Sequence, residues 1–185
     1  MALPAPHRFT VGEYHQMAAA GVLRPDARVE LLDGEVVEMA PIGSRHAAVV
    51  KRLNRFFSAG LDGRAVVGVQ DPVRFRPDCE PQPDLSVLVM RDDDYSIGHP
   101  GPGDVLLLVE VCDTSGPFDR VRKIPLYAQH GVPEVWLVDI PGVAVEAHTE
   151  PVIGGYGTVR RFGAGDTVSP GPFPDLVLAV SDLFP

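Results

Sequence analysis

The chain has 185 residues, 45% apolar and 22% charged, a composition that can bury a sizeable core and excludes a disordered polymer. Sixteen basic against 25 acidic residues give a net charge of −9, which argues against nonspecific coating of nucleic acid. It leaves open a local basic groove, or an acidic site neutralised by a divalent cation.

The first element is announced by Thr10-Val11-Gly12-Glu13, a capping box, with Phe9 and Tyr14 at the staple positions and Gly21 placed to end the helix. Asp33-Gly34 between two short apolar runs predicts a hairpin. A second helix is expected from Ser44, with Val49, Val50, Leu53, Phe56 and Phe57 on one face and Lys51, Arg52 and Arg55 mostly on the other. Ala65–Val69, Val73–Arg76 and Asp84–Met90 read as short strands, and Arg91–Asp104 as an exposed loop. Val105–Val111 and Val135–Asp139 are nearly continuous apolar runs, the mark of strands buried on both faces. Helical character around Asp119–His130, closed by Gly131, joins them as a right-handed βαβ crossover. Short β pieces at Val143–His148 and Thr158–Phe162 and a proline-rich end complete the chain. The expectation is one α/β domain over residues 1–185: a mixed β-sheet core flanked by helices, with extra β-strands at the termini.

No apolar run approaches the roughly 20 residues of a membrane span, and the N-terminal stretch lacks the apolar region of a secretory signal. Cys79 and Cys112 form no CxxC and demand no disulfide. A soluble protein of the cytoplasm, with no membrane partner, is expected.

Glu110 is the most informative residue. A carboxylate inside an apolar strand is costly unless it is paired, protonated or bound to a metal. Asp84 opens a strand directly after Pro83, and Lys123 lies on the helix that follows the Glu110 strand. Taken singly, each has a bland reading: a salt bridge, a turn initiator, a solvated helix charge. Together they can do more. Two carboxylates from neighbouring strands, with the Val111 carbonyl as a third ligand, can hold a hard divalent cation such as Mg²⁺ or Mn²⁺. A nearby ammonium can stabilise developing phosphorane charge or orient a water. That is equipment for metal-assisted phosphodiester hydrolysis.

The same residues carry a resemblance. Phe9-Thr10-Val11-Gly12-Glu13-Tyr14, the Val29–Met39 hairpin, Ser44-Arg45-His46, Pro83-Asp84-Leu85-Ser86-Val87, Val109-Glu110-Val111 with Asp113-Thr114-Ser115, Phe118-Asp119-Arg120 and Lys123, and Gly131–Asp139 occur in one order. In that order the chain resembles the Uma2 family, also described as DUF820, assigned to endonucleases of the PD-(D/E)XK, restriction-endonuclease-like fold. The resemblance runs over nearly the whole length. It implies Asp84 and Glu110 as metal ligands, Lys123 as the catalytic lysine and Glu30 as an additional acidic residue, acting on DNA. It also departs from the simple nuclease pattern, in which the lysine lies two residues after the acid. That position is Cys112, and Pro125 perturbs the helix that carries Lys123.

Several readings stay open at this point. Glu30 is equally a hairpin surface carboxylate; Gln70 is a contact to a scissile phosphate or water or, the better reading, a turn amide; His46 faces the site or stacks locally. The acidic balance, Cys112 and Pro125 favour a nuclease-like fold used as a binding or regulatory module. A plainer reading has Glu110 merely paired with Lys123 or Arg122. For a phosphate track, the candidates are Lys51, Arg52, Arg55, Arg74 and Arg76. By analogy with nucleases that cut both strands, a homodimer is expected.

Overall fold

The computed structural model describes residues 5–184. Helix α1 (Val11–Ala19) starts where the capping box requires: the Glu13 N–H donates to Thr10 Oγ1 at 3.2 Å, and the Thr10 N–H returns to Glu13 Oε2 at 2.8 Å. Gly21, at φ +74°, follows its last turn. Its buried residues Val11 and Tyr14 pack with Leu31, and Phe9 leans on the same cluster.

Strands β1 (Val29–Leu32) and β2 (Glu35–Glu38) form the expected hairpin, with Leu32 opposite Glu35. The two loop residues, Asp33 at φ +50° and Gly34 at φ +75°, are both left-handed, as the tightest hairpin turn demands. Helix α2 (Ser44–Gly60) buries Val49, Val50, Leu53 and Phe57.

The central sheet has six strands: β3 (Ala65–Val69), β4 (Leu85–Val89), β5 (Val105–Cys112), β6 (Glu134–Asp139), β7 (Ala144–Val152) and β8 (Gly155–Gly163). They lie side by side in chain order. Only β5 and β6 are parallel; the other neighbours are antiparallel. The sheet is therefore mixed, and its single parallel pair is the one joined by a helical crossover. On one face α2 packs against Leu85, Val109, Val111, Trp136 and Val138, closed by Phe173, Leu178 and Leu183. On the other, Leu108 and Val135 meet Ile124, Leu126 and Tyr127 of the crossover. A small ladder of β9 (Thr167–Val168) and β10 (Leu178–Ala179) supplies the extra strands near the C-terminus. No helix among the described residues is long and apolar enough to cross a membrane.

Three regions differ from their sequence expectation. Val73–Arg76 is not a strand. Its N–H groups go to scattered carbonyls, Val73 to Pro81 at 2.9 Å and Arg74 to Pro100 at 2.8 Å. Pro72, Pro77, Pro81 and Pro83 surround it and cannot donate to a ladder. Strands β7 and β8 run longer than predicted. Pro151 is tolerated because β6 pairing has already ended at Thr149, leaving β8 as its neighbour. Finally, the predicted helix over 119–130 is broken into α3 (Gly116–Phe118), a wide π-turn at Asp119–Lys123 and α4 (Ile124–Gln129).

Candidate active site

Asp84 stands one residue before β4. Because Leu85 pairs with Val109, β5 outruns β4 at this end of the sheet. The Val111 N–H has no ladder partner there and donates to Asp84 Oδ2 at 2.9 Å. In an extended strand the N–H and C=O of one residue leave on the same edge, so the Val111 carbonyl faces the Asp84 side as well. Two further groups meet the same carboxylate. His46 on the first turn of α2 brings Nε2 to Oδ2 at 3.0 Å, and Gln70 Nε2 donates to Oδ1 at 3.1 Å. Gln70 holds φ +57°, an uncommon conformation for a side-chain-bearing residue, and its own N–H also bonds the Asp84 carbonyl at 3.1 Å. Burial pushes the Asp84 carboxyl up, but His46, the Val111 N–H and Gln70 outweigh it and hold it below the ordinary range.

Glu110 lies inside β5 and is 3% exposed. Lys123, 4% exposed, places Nζ 3.2 Å from Glu110 Oε1 and 3.2 Å from Glu30 Oε2. The Tyr127 hydroxyl donates a short hydrogen bond to the same Glu110 oxygen. Glu30 Oε2 also accepts the Gln82 N–H at 3.0 Å. Both side-chain donors to Glu110 fall on Oε1, leaving Oε2 without one among the described residues. Burial drives the Glu110 carboxyl well up. Lys123 pulls it back, while Asp119, Asp84 and Glu30 push it further up. For Lys123, burial works against the charged form, but Glu110, Glu30 and Asp119 outweigh it and keep the ammonium protonated.

The π-turn explains how a helix containing a proline delivers this lysine. The Ile124 N–H bonds the Asp119 carbonyl five residues back, and Pro125, which has no N–H to offer the preceding turn, begins the regular helix α4. Asp119, Lys123 and Tyr127, spaced four apart, are all turned inward and buried. Asp119 Oδ2 accepts from Cys112 Sγ at 3.0 Å. Cys112, at the position of the simple pattern's lysine, is a buried thiol whose pKa is raised by burial and by Asp119. Burial and that shift leave it without the thiolate character a nucleophile needs.

Glu30, His46, Asp84, Glu110, Asp119 and Lys123 line a pocket of about 440 Å³. Met39, Pro41, Ile42 and Phe118 form its apolar walls, and Arg28 also lines it. Among the described residues no three His, Cys, Asp or Glu side chains converge into a ready-made cage. The donor set nonetheless suits a hard cation that keeps much of its water. It offers carboxylate oxygens from adjacent strands and a backbone carbonyl, with four carboxylates (Glu30, Asp84, Glu110, Asp119) around Lys123 and His46. The raised Glu110 carboxyl reflects its burial first and the neighbouring carboxylates only after that.

A model of the Uma2 family, described as "Putative restriction endonuclease", matches residues 11–181. The chain belongs to the Uma2 family. A crystal structure at 1.96 Å of a "putative nuclease belonging to DUF820" from Anabaena variabilis ATCC 29413 superposes with a TM-score of 0.73. It is 16% identical, over 95% of this chain and 97% of that one, so the likeness is one of fold. No curated protein sequence matches the chain.

In this Uma2 chain the structure gathers Asp84, Glu110, Val111, Lys123 and Glu30 at one place. It adds His46 and Gln70, whose roles the sequence left open, and Asp119 and Tyr127, which site reasoning missed. The four-residue spacing of Asp119, Lys123 and Tyr127 was the available signal. The plain ion pair of Glu110 with Lys123 is present, whereas Arg122 bonds Glu35 at 2.9 Å on the surface. None of the expected phosphate-track residues Lys51, Arg52, Arg55, Arg74 and Arg76 lines this pocket, and three are engaged elsewhere. Arg74 is held by Glu80 at 2.8 Å, Arg76 by Asp33 and Asp78, and Arg52 by the Asp182 carbonyl at 3.0 Å.

Proposed function

We propose that the protein is a Mg²⁺- or Mn²⁺-dependent endonuclease that hydrolyses phosphodiester bonds in DNA, the whole chain acting as one nuclease-like domain. The observation that carries this reading is the shared pocket floor of Asp84 and Glu110, from neighbouring strands, with Lys123 between two carboxylates. The family description supports an endonuclease in general terms.

In this reading Asp84, Glu110 and the Val111 carbonyl hold the cation. When bound, it supplies Lewis-acid polarisation of the phosphodiester and a more acidic water. His46, Gln70 and the Val111 N–H keep Asp84 ionised and oriented. The Lys123 ammonium orients the attacking water or stabilises charge developing on the phosphoryl oxygens. Glu30 holds Lys123 from its other side and acts as a positioning residue. The free, buried Cys79 and Cys112 suit a reducing cytoplasm. The exposed apolar hairpin tip at Val152 and Ile153, beside Val121 in a common groove, supports a homodimer.

The test is cleavage of plasmid and single-stranded DNA with Mg²⁺ or Mn²⁺, comparing wild type with Asp84→Asn. Cleavage that needs metal and vanishes in Asp84→Asn is the expected result. Equal cleavage by both proteins overturns the site. A second reading, a nuclease fold used as a binding module, is favoured by one observation: Lys123 already occupies oxygens of both Glu110 and Glu30 without a cation. It predicts DNA binding with no metal-dependent turnover.

A further inference from the structure

We infer that the substrate enters this pocket as an unpaired DNA strand, with an unstacked base laid against Phe118. The inference rests on the nuclease reading and names its substrate class.

The first argument is depth. Asp84, Glu110, Lys123 and Glu30 are between 2% and 7% exposed, while Ile42 and Phe118 on the walls are 41% and 37% exposed. A phosphodiester must therefore pass a rim that carries Ile42 and Phe118 among its exposed side chains before it meets the buried polar floor. The cavity of about 440 Å³ has the size of a small-ligand pocket. A duplex is a rod too broad to enter a cavity of this size, whereas a single strand can lower its backbone together with an unstacked base into it.

The second argument is charge. Following a duplex takes a row of cations along the phosphates. Besides His46, the basic side chains lining the pocket are Arg28 and Lys123. Lys123 is held by Glu110 and Glu30, and Arg28 donates to the Ala40 carbonyl at 2.8 Å. Nearby Arg45 is 3.6 Å from Asp113, and Glu38 adds a negative charge to the wall. Binding with so few cations must come from contacts that do not depend on phosphate charge. Stacking on an aromatic ring is such a contact, and it tolerates any base. Phe118 is the aromatic wall residue, and it makes no ring contact with another aromatic side chain among the described residues.

Fluorescein-labelled oligonucleotides of one sequence, single-stranded or annealed to their complement, separate the possibilities. Binding is read by anisotropy in Ca²⁺ and cleavage in Mg²⁺, for wild type, Phe118→Ala and Phe118→Tyr. We expect the single strand to be preferred about tenfold or more, with a shallow salt slope of about −1 to −2. Phe118→Ala should lose roughly tenfold in single-strand affinity, and Phe118→Tyr should restore it, which a merely structural role would not require. Equal or better use of duplex, indifference to Phe118→Ala, or no binding of either oligonucleotide overturns the inference. Phe118-dependent binding of single strands without cleavage of any DNA supports it while removing the nuclease reading on which it was built.

Discussion

Replacing Lys123 by methionine tests the charge arrangement directly. Its Nζ lies 3.2 Å from oxygens of both Glu110 and Glu30, and all three side chains are at most 5% exposed. At an effective dielectric of about 20, each contact is worth about 5 kcal/mol of direct attraction, most of it offset by the desolvation of the ammonium. Removing one member of a buried pair costs about 3–5 kcal/mol, because the partner charge stays behind. Methionine keeps most of the stem volume, so little cavity cost adds to this. The Tyr127 hydroxyl and Gln82 N–H remain as donors to the two carboxylates, which points to the lower end, about 3 kcal/mol. For a chain of this length, that lowers Tm by roughly 6–12 °C. Trp136, fully buried and the single tryptophan, reports urea unfolding by its fluorescence. The double variant Lys123→Met/Glu110→Gln should cost less than the sum of its parts by about 1.5 kcal/mol or more. Arg122→Gln, whose partner Glu35 is exposed, should change stability by less than about 0.5 kcal/mol. A Lys123→Met protein as stable as wild type, or strict additivity in the cycle, would refute a desolvated and coupled triad.

Three further outcomes are expected. Gln70→Gly relieves the left-handed backbone at φ +57° but removes the donor to Asp84 Oδ1. Stability to urea should hold or rise by up to about 1 kcal/mol, while metal-dependent cleavage falls about tenfold. A parallel fall in both would mean that Gln70 matters only for folding. Gly34→Ala puts a Cβ 2.7 Å from Arg8 Cβ at a position with φ +75°, so it should lose about 2 kcal/mol in the same assay. Asp139 and Glu146 feel burial pushing their carboxyls up. The Gly142 N–H on Asp139, and Arg120 and Arg161 on both, outweigh it and leave the two below the ordinary range. Groups lowered in this way stabilise the fold above about pH 4.5 and lose that contribution as pH falls through their depressed values. Arg161→Gln should therefore be less stable at neutral pH, and its gap to wild type should narrow below about pH 4; a gap independent of pH contradicts the assignment.

What could be read in advance divides along a physical line. Thr10 with Glu13, Asp33 with Gly34, and the apolar runs of β5 and β6 are governed by neighbours in sequence, and each formed where expected. Asp84 and Glu110 were legible because a proline-led acid and a carboxylate in an apolar strand are locally anomalous. His46 and Gln70 could only be left open, since they lie 38 and 14 residues from Asp84 and acquire meaning only when α2 and the β3 turn close over the end of β4. Val73–Arg76 failed as a strand because apolar alternation says nothing of where donors go when prolines bracket the segment. Lys123 falls between these cases. Pro125 announced a disturbed helix without saying in which direction. The π-turn gives the direction: the Ile124 N–H reaches back to Asp119, and the widened turn brings Asp119 to Cys112 and Lys123 to Glu110 together. The proline that threatened the lysine in sequence is thus part of the local geometry that turns it inward. A helix regularised across Asp119–Lys123 would be expected to lose the Lys123 contact with Glu110 before it lost the fold.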